Sequence, residues 1–145
     1  MPASQPDPVD DRSALMLAVC ASDLCELFDV LLSGAHVDQQ DSRQWTALSY
    51  ACWYGNYEIV QQLLDSGADP NIHKSYAMVD TPLSIAAEQG HFDIVRLLIA
   101  HDADPNCYAG IEAVRAEWYA RTSGHHEISE FLLYHEDKPK KDEKG

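Results

Sequence analysis

Basic residues are scarce in this chain of 145 residues, where ten lysines and arginines face 24 aspartates and glutamates and the formal charge is −14. A surface of that sign repels phosphate backbones, so we expect no direct binding of nucleic acid. The segment 136–145 holds four acids and four bases, which places the whole excess in residues 1–135. The charge balance therefore favours a basic partner.

Long hydrophobic runs are also missing. No stretch approaches the roughly 18 apolar residues of a membrane span, and the start MPASQPDPVDD lacks both the basic residues and the apolar run of a secretory leader. The four cysteines (Cys20, Cys25, Cys52 and Cys107) show no CxxC pairing. We expect free thiols, no membrane association, and a cytoplasmic protein, or a nuclear one in a eukaryote.

What the sequence does contain is a repeat. Thr46–Asn71 and Thr81–Asn106 align over 26 positions without a gap, 35 residues apart, and a weaker copy begins at Ser13, 33 residues before Thr46. A fourth, degenerate copy aligns on Gly124. A period of about 33 to 35 residues indicates an array of small stacked units.

Each unit predicts a pair of helices. The first helix begins at a threonine N-cap, Thr46 or Thr81, and ends at a glycine, Gly55 or Gly90. The second helix is amphipathic and is closed by a glycine suited to the left-handed conformation. In the third unit Asp102 replaces that glycine, so we expect some backbone strain there.

These residues resemble the ankyrin repeat family, whose pattern TPLHxAAxxGHxxIVxLLLxxGADxN is closely followed by TPLSIAAEQGHFDIVRLLIAHDADPN. The resemblance implies an all-α solenoid of helix-turn-helix units with short hairpin fingers. The histidine of TPLH is Ser49 and Ser84 in the middle units, so the hydrogen bonds of that histidine must be made otherwise or lost.

The resemblance covers almost the whole chain. It predicts a repeat domain over 10–135, with units at about 10–40, 41–75, 76–109 and 110–135, between tails at 1–9 and 136–145. The last unit reads RAEWYAR at 115–121, where TPLHxAA is expected, and so places charges where a next repeat would dock. Because nothing covers the last unit of an array, we interpret it as a polar end cap.

Nothing in the sequence indicates an enzyme. It contains no GxGxxG, no P-loop and no HExxH motif. His125, His126 and His135 lie near one another in sequence, but His125 stands at the ordinary histidine position of the repeat, as His91 does. We therefore expect no catalytic residues, no cofactor and no metal site.

In proteins of this fold, the resemblance implies, the hairpin tips and the outer ends of the first helices form a concave face that binds other proteins. Trp45, Trp53 and Tyr54 fall on that face at positions that are usually polar, and exposed aromatic residues are typical of binding hot spots. The predicted partner-binding residues are Arg43, Trp45, Tyr50, Trp53, Tyr54, Tyr76, Met78, Asp80, Glu88 and Gln89.

The acids around these residues, which include Asp38, Asp41, Asp80 and Glu88, should attract a positively charged partner. We expect a non-catalytic module, monomeric when free, that binds and masks a basic protein as an escort chaperone or as an immunity or inhibitor protein. The alternative is a structural scaffold or docking subunit of a larger complex. A second alternative is that Trp53 and Tyr54 only pack on a neighbouring hairpin.

Overall fold

The computed structural model describes residues 13–42, 44–71, 80–106, 108–109 and 114–136. Its helices follow one another in pairs, as the repeat predicts. A two-residue antiparallel hairpin, β1 (Tyr108–Ala109) with β2 (Val114–Arg115), precedes the last pair. The helices are α1 (Ala14–Cys20), α2 (Leu24–Leu32), α3 (Ala47–Tyr54), α4 (Tyr57–Asp65), α5 (Pro82–Gln89), α6 (Phe92–Ala100), α7 (Ala116–Thr122) and α8 (His126–Glu136).

The chain divides into two compact units, residues 1–68 and 69–145. In the first unit α1 packs against α2 and α3, and α3 packs against α4. In the second unit α5 packs against α6 and α7, and α7 against α8. Each unit has its own buried aliphatic core, which includes Leu15, Leu27, Leu48, Ile59 and Leu63 in the first and Leu83, Ile85, Ile94, Leu98 and Leu132 in the second.

The predicted threonine N-caps are confirmed. Thr46 Oγ1 accepts the N–H of Ser49, and Ser49 Oγ accepts the N–H of Thr46 at 3.2 Å. Thr81 and Ser84 make the same reciprocal pair at 3.1 and 3.0 Å. The serines that replace the family's histidine thus complete capping boxes, which satisfy backbone donors at each helix start.

The turn after α6 shows the predicted departure from glycine. Asp102 has φ of 68°, in the left-handed region, where Gly67 of the preceding repeat has φ of 96°. The side chain of Asn71 fixes this turn, because its Nδ2 donates to the carbonyl oxygen of Asp102 and its Oδ1 accepts the N–H of Asp104, both at 2.8 Å. The turn that contains the strained Asp102 is therefore held by both polar atoms of the Asn71 side-chain amide.

Glu117 links charged and polar side chains of the last repeat. Glu117 Oε1 accepts from the Ser129 hydroxyl at 2.7 Å and lies 3.2 Å from Nε of Arg121, one helical turn away. Arg115 is the N-cap residue of α7, and no side-chain cap hydrogen bond forms there. This polar network joins α7 to α8 in the unit that we interpret as the end cap. Helix α8 ends at Glu136, one residue beyond the predicted domain boundary.

Gly90 ends α5 and also leaves space for the side chain of His125 in the last repeat. Its φ is 81°, and a β carbon there would lie 2.5 Å from Cε1 of His125. Nε2 of His125 in turn donates to the carbonyl oxygen of Glu88 at 3.1 Å. Glycine is thus required at this position both for its backbone conformation and for the space that His125 occupies.

We predict that Gly90→Ala destabilises the protein more than Gly124→Ala, which has a similar φ of 85° but open space around the added methyl. Both variants carry left-handed strain of about 1 kcal/mol, and Gly90→Ala should lose about 1–2 kcal/mol more because His125 is displaced from its hydrogen bond. Urea unfolding measures both. Equal losses, or an excess that persists in a His125→Ala background, would contradict this explanation.

We predict that Asp102→Gly stabilises the protein by about 0.5–1 kcal/mol, because glycine adopts the left-handed conformation without a β-carbon clash. The hydrogen bonds of Asn71 involve backbone atoms and remain available. The reverse change, Gly67→Asp, is the matched control and should lower the free energy of unfolding by a similar amount. A destabilised Asp102→Gly variant would show that the aspartate side chain makes an additional favourable contact.

Candidate functional site

Three aromatic rings cluster around the start of α3. Trp45 directly precedes the N-cap Thr46, and Tyr50 is the fourth residue of the helix, so the two form a hydrophobic staple. Their ring centroids lie 5.1 Å apart in an edge-to-face arrangement. Trp53 follows Tyr50 by one turn, and its ring lies 5.9 Å from that of Trp45. The three rings thus support one another along one side of α3.

The carboxylate of Asp41 fixes this cluster to the preceding loop. Asp41 Oδ1 accepts the backbone N–H of Trp45 at 3.0 Å, and Oδ2 accepts the hydroxyl of Tyr50. The loop closes through backbone hydrogen bonds from Asp41 to Trp45 and from Gln44 to Asp41, with Gln44 at φ of 63°. One buried carboxylate therefore sets both the loop and the ring beneath Trp45.

The predicted aromatic residues differ in exposure. Trp53 is 44% exposed and Tyr54 is 53% exposed, so both are open to solvent as expected, and Trp45 is half-buried. The expectation that Tyr50 lies on the open surface is wrong: it is only 8% exposed, because its ring packs on Trp45 and its hydroxyl binds Asp41. Tyr50 supports the exposed rings from below.

The other predicted site residues belong to the second unit or lie outside the described residues. Glu88 is exposed and Gln89 half-buried at the end of α5, the positions that Trp53 and Tyr54 occupy in α3. Asp80 is half-buried before α5, and burial raises the pKa of its carboxyl group. Arg43, Tyr76 and Met78 lie outside the described residues.

Residues 13–68, which include the exposed aromatics, carry an excess of negative charge. Residues 13–68 contain seven carboxylates and a single lysine or arginine, Arg43. The sequence-based expectation is corrected in one respect, since Asp41 is buried and its carboxylate is engaged in hydrogen bonds within the loop. Asp38, which is half-buried, and the exposed Glu58 and Asp65 remain closer to solvent.

The cysteines that the structure describes differ in burial: Cys52 is buried, Cys20 is half-buried and Cys25 is exposed. Burial raises the pKa of the Cys52 thiol far above its usual range, so this thiol stays protonated and is a weak nucleophile. Within the same ranges, no three histidine, cysteine or acidic side chains are placed to hold a metal ion. No helix described there has both the length and the apolar character that crossing a bilayer requires.

Helix pairs that repeat at a fixed period, with side-chain caps at the starts of α1, α3 and α5, define a repeat protein built of helix-turn-helix units. A family model described as "Ankyrin repeats (3 copies)" matches residues 2–74 and 73–142. The chain belongs to the ankyrin repeat family. Repeats of this family generally mediate protein–protein interactions and are typically not enzymatic.

Individual relatives match half of this chain or less, and a small part of their own length. The mitochondrial disaggregase of Bos taurus is 38% identical over 72 residues, which are 50% of this chain and 11% of that protein. The ankyrin repeat and SAM domain-containing protein 6 of Mus musculus is 43% identical over 61 residues, 41% of this chain and 7% of that protein. The ankyrin repeat and KH domain-containing protein mask-1 of Caenorhabditis elegans is 48% identical over 63 residues, 42% of this chain and 2% of that protein.

Sequence reasoning missed the support beneath the exposed rings. The spacing of Trp45 and Tyr50 around the N-cap Thr46 is a recognisable staple pattern, so this contact could have been found. The bond from Tyr50 to Asp41 could not, because nine residues separate the two and their meeting depends on how the loop folds.

We predict that Asp41→Ala lowers the free energy of unfolding by about 2–4 kcal/mol, because the N–H of Trp45 and the hydroxyl of Tyr50 both lose a charged acceptor. Tyr50→Phe removes only the hydroxyl and should cost about 1–2 kcal/mol. The near-ultraviolet circular dichroism of the coupled indoles should weaken in Asp41→Ala and persist in Tyr50→Phe. Equal stability losses for the two variants would contradict a double role for this carboxylate.

Proposed function

We propose that this chain is a non-catalytic interaction module that binds and masks a basic protein partner, with Trp53 and Tyr54 as the anchors of the contact. The observation that carries the proposal is the exposure of these two neighbouring rings at the end of α3, where Trp53 packs on Trp45 and Trp45 on Tyr50. Large rings held in place lose little conformational freedom on binding, which is why such residues dominate interface energies.

The repeat itself supports a functional reason for these rings. At the equivalent positions of α5 the chain has Glu88 and Gln89, so the helix pair folds with polar residues there. The aromatic residues are therefore not needed to build the repeat. A contact with a partner would bury them, and this is the interpretation that we favour over simple stiffening of the array.

The charge of the chain supports a basic partner. Seven carboxylates accompany a single lysine or arginine in residues 13–68, and the formal charge of the whole chain is −14. Such a field raises the association rate of a cationic protein and repels acidic ones. Masking would serve either an escort of a basic client or an immunity or inhibitor protein that covers a basic effector.

The relatives do not narrow the function further. The chain covers 11% of the length of the Bos taurus mitochondrial disaggregase, and its matched segment is a stretch of repeats. We therefore transfer from the relatives only the capacity of a repeat array to bind another protein, and no part of the activity that the word disaggregase names.

We predict that a Trp53→Ala/Tyr54→Ala variant loses about 2–4 kcal/mol of affinity for its partner, because clustered anchors carry most of the binding energy. The immobilised protein should capture the partner from a cell extract at low salt, and the identified protein is then titrated against wild type and variant. Tyr57→Ala, an exposed aromatic on α4 of the same unit, is the matched control and should bind normally. Unchanged affinity of the double variant would remove the proposed anchors.

Two further observations separate the proposal from its alternative. Capture of a basic protein that weakens at high salt supports masking by charge. An acidic partner would overturn the electrostatic part of the proposal even if Trp53 and Tyr54 bind it. A stable dimer of the pure chain in sedimentation would instead favour the scaffold or docking-subunit alternative.

A further inference from the structure

A second exposed apolar surface lies on α2 of the first unit. Leu24, Phe28 and Leu32 follow one another at intervals of four residues and so lie along one side of the helix. Phe28 is 44% exposed, Leu32 is 85% exposed and Leu24 is half-buried. We call these three residues the α2 stripe. They are separate from the exposed aromatic residues of α3.

The repeat indicates that the fold does not require apolar residues at Phe28 and Leu32. With an offset of 33 residues, Phe28 and Leu32 correspond to Gln61 and Asp65 of α4, both exposed. The next repeat has the exposed Arg96 in place of Phe28. Helix α4 therefore folds with polar residues at both positions, and α6 folds with a charged residue at the first of them. Apolar residues here imply a binding surface.

The charges around the α2 stripe define what can bind it. Residues 13–42 contain five acids and neither lysine nor arginine. Asp29, which is exposed, lies three residues before Leu32 and so borders it on the helix surface. The exposed Glu26 lies one turn before Asp29, on the side of α2 away from Phe28. An anionic membrane surface and a second copy of this acidic chain would both be repelled.

We propose that the α2 stripe is a docking surface for an amphipathic helix of a partner protein, whose apolar face is bordered by lysine or arginine residues. The apolar face of such a helix would cover Phe28 and Leu32, and its basic border would meet Asp29. This surface is additional to the one proposed around Trp53 and Tyr54, and it stands or falls independently of that function.

The test uses a synthetic helical peptide of about 18 residues, five turns, built from leucine and lysine with the leucines on one face. Its partner peptide has glutamate in place of every lysine. We expect the leucine–lysine peptide to bind the full chain, as measured by fluorescence anisotropy, and the leucine–glutamate peptide not to bind. The variant Phe28→Gln/Leu32→Asp, which introduces the residues of α4, should bind the leucine–lysine peptide at least about tenfold more weakly than wild type does.

Two control variants tie the binding to α2. Tyr134→Asp changes an exposed aromatic at the position of α8 that corresponds to Leu32 of α2. It should leave the affinity for the leucine–lysine peptide unchanged. Trp53→Ala/Tyr54→Ala should also bind the peptide normally, which separates this surface from the proposed anchors of the function. Circular dichroism checks that the double α2 variant is folded. If it is not, the single variants Phe28→Gln and Leu32→Asp replace it in the binding measurement.

A chemical readout locates the peptide directly. Cys25 is exposed on α2 beside Phe28, so bound peptide should slow its alkylation by iodoacetamide, as followed by mass spectrometry of the peptide that contains it. The proposal is overturned if the leucine–lysine peptide does not bind, binds the α2 variant equally well, or leaves alkylation of Cys25 unchanged. Binding of wild type to phosphatidylserine vesicles, or a dimer abolished by the α2 changes, would assign the stripe to a membrane or to a second copy and also overturn it.

Discussion

One buried carboxylate determines the geometry of the candidate site. Asp41 accepts a backbone N–H from Trp45 and a hydroxyl from Tyr50, and so holds the loop before α3 against the helix itself. Trp45 lies on Tyr50, and Trp53 lies on Trp45. These contacts connect the exposed ring of Trp53 to the buried carboxylate of Asp41. A buried carboxylate stabilises the fold only if its oxygens accept hydrogen bonds that offset the loss of hydration.

The fold could be predicted from the sequence because its signals are local and repeated. Thr46 and Thr81 cap helices, Gly55 and Gly90 end them, and each signal occurs at the same place in neighbouring repeats. Even the departure at Asp102 was visible, because a non-glycine residue stood where the repeat requires a positive φ. Capping and turn chemistry act within a few residues, so they can be inferred without knowing what packs against them.

The candidate site was predicted less well because exposure depends on contacts between residues distant in sequence. The register placed Tyr50 on the same face as Trp53, but the side chain of Asp41 draws its hydroxyl into the interior. The α2 stripe shows a related difficulty: the run LCELFDVLL by itself does not indicate which side is covered, and the extent to which Phe28 and Leu32 are exposed is read from the structure. Periodicity identifies the sides of a helix and does not identify which side is covered.

The contact between Gly90 and His125 bears on how the two terminal repeats can diverge. A side chain at residue 90 and an imidazole at residue 125 compete for the same space, although 35 positions separate them. If His125 is replaced first, a larger residue at position 90 then costs only backbone strain. If Gly90 is replaced first, its new side chain clashes with the imidazole of His125. The sequence of substitutions, and not only their identity, is therefore constrained, and degeneration of the last repeat is expected to precede change at the end of α5.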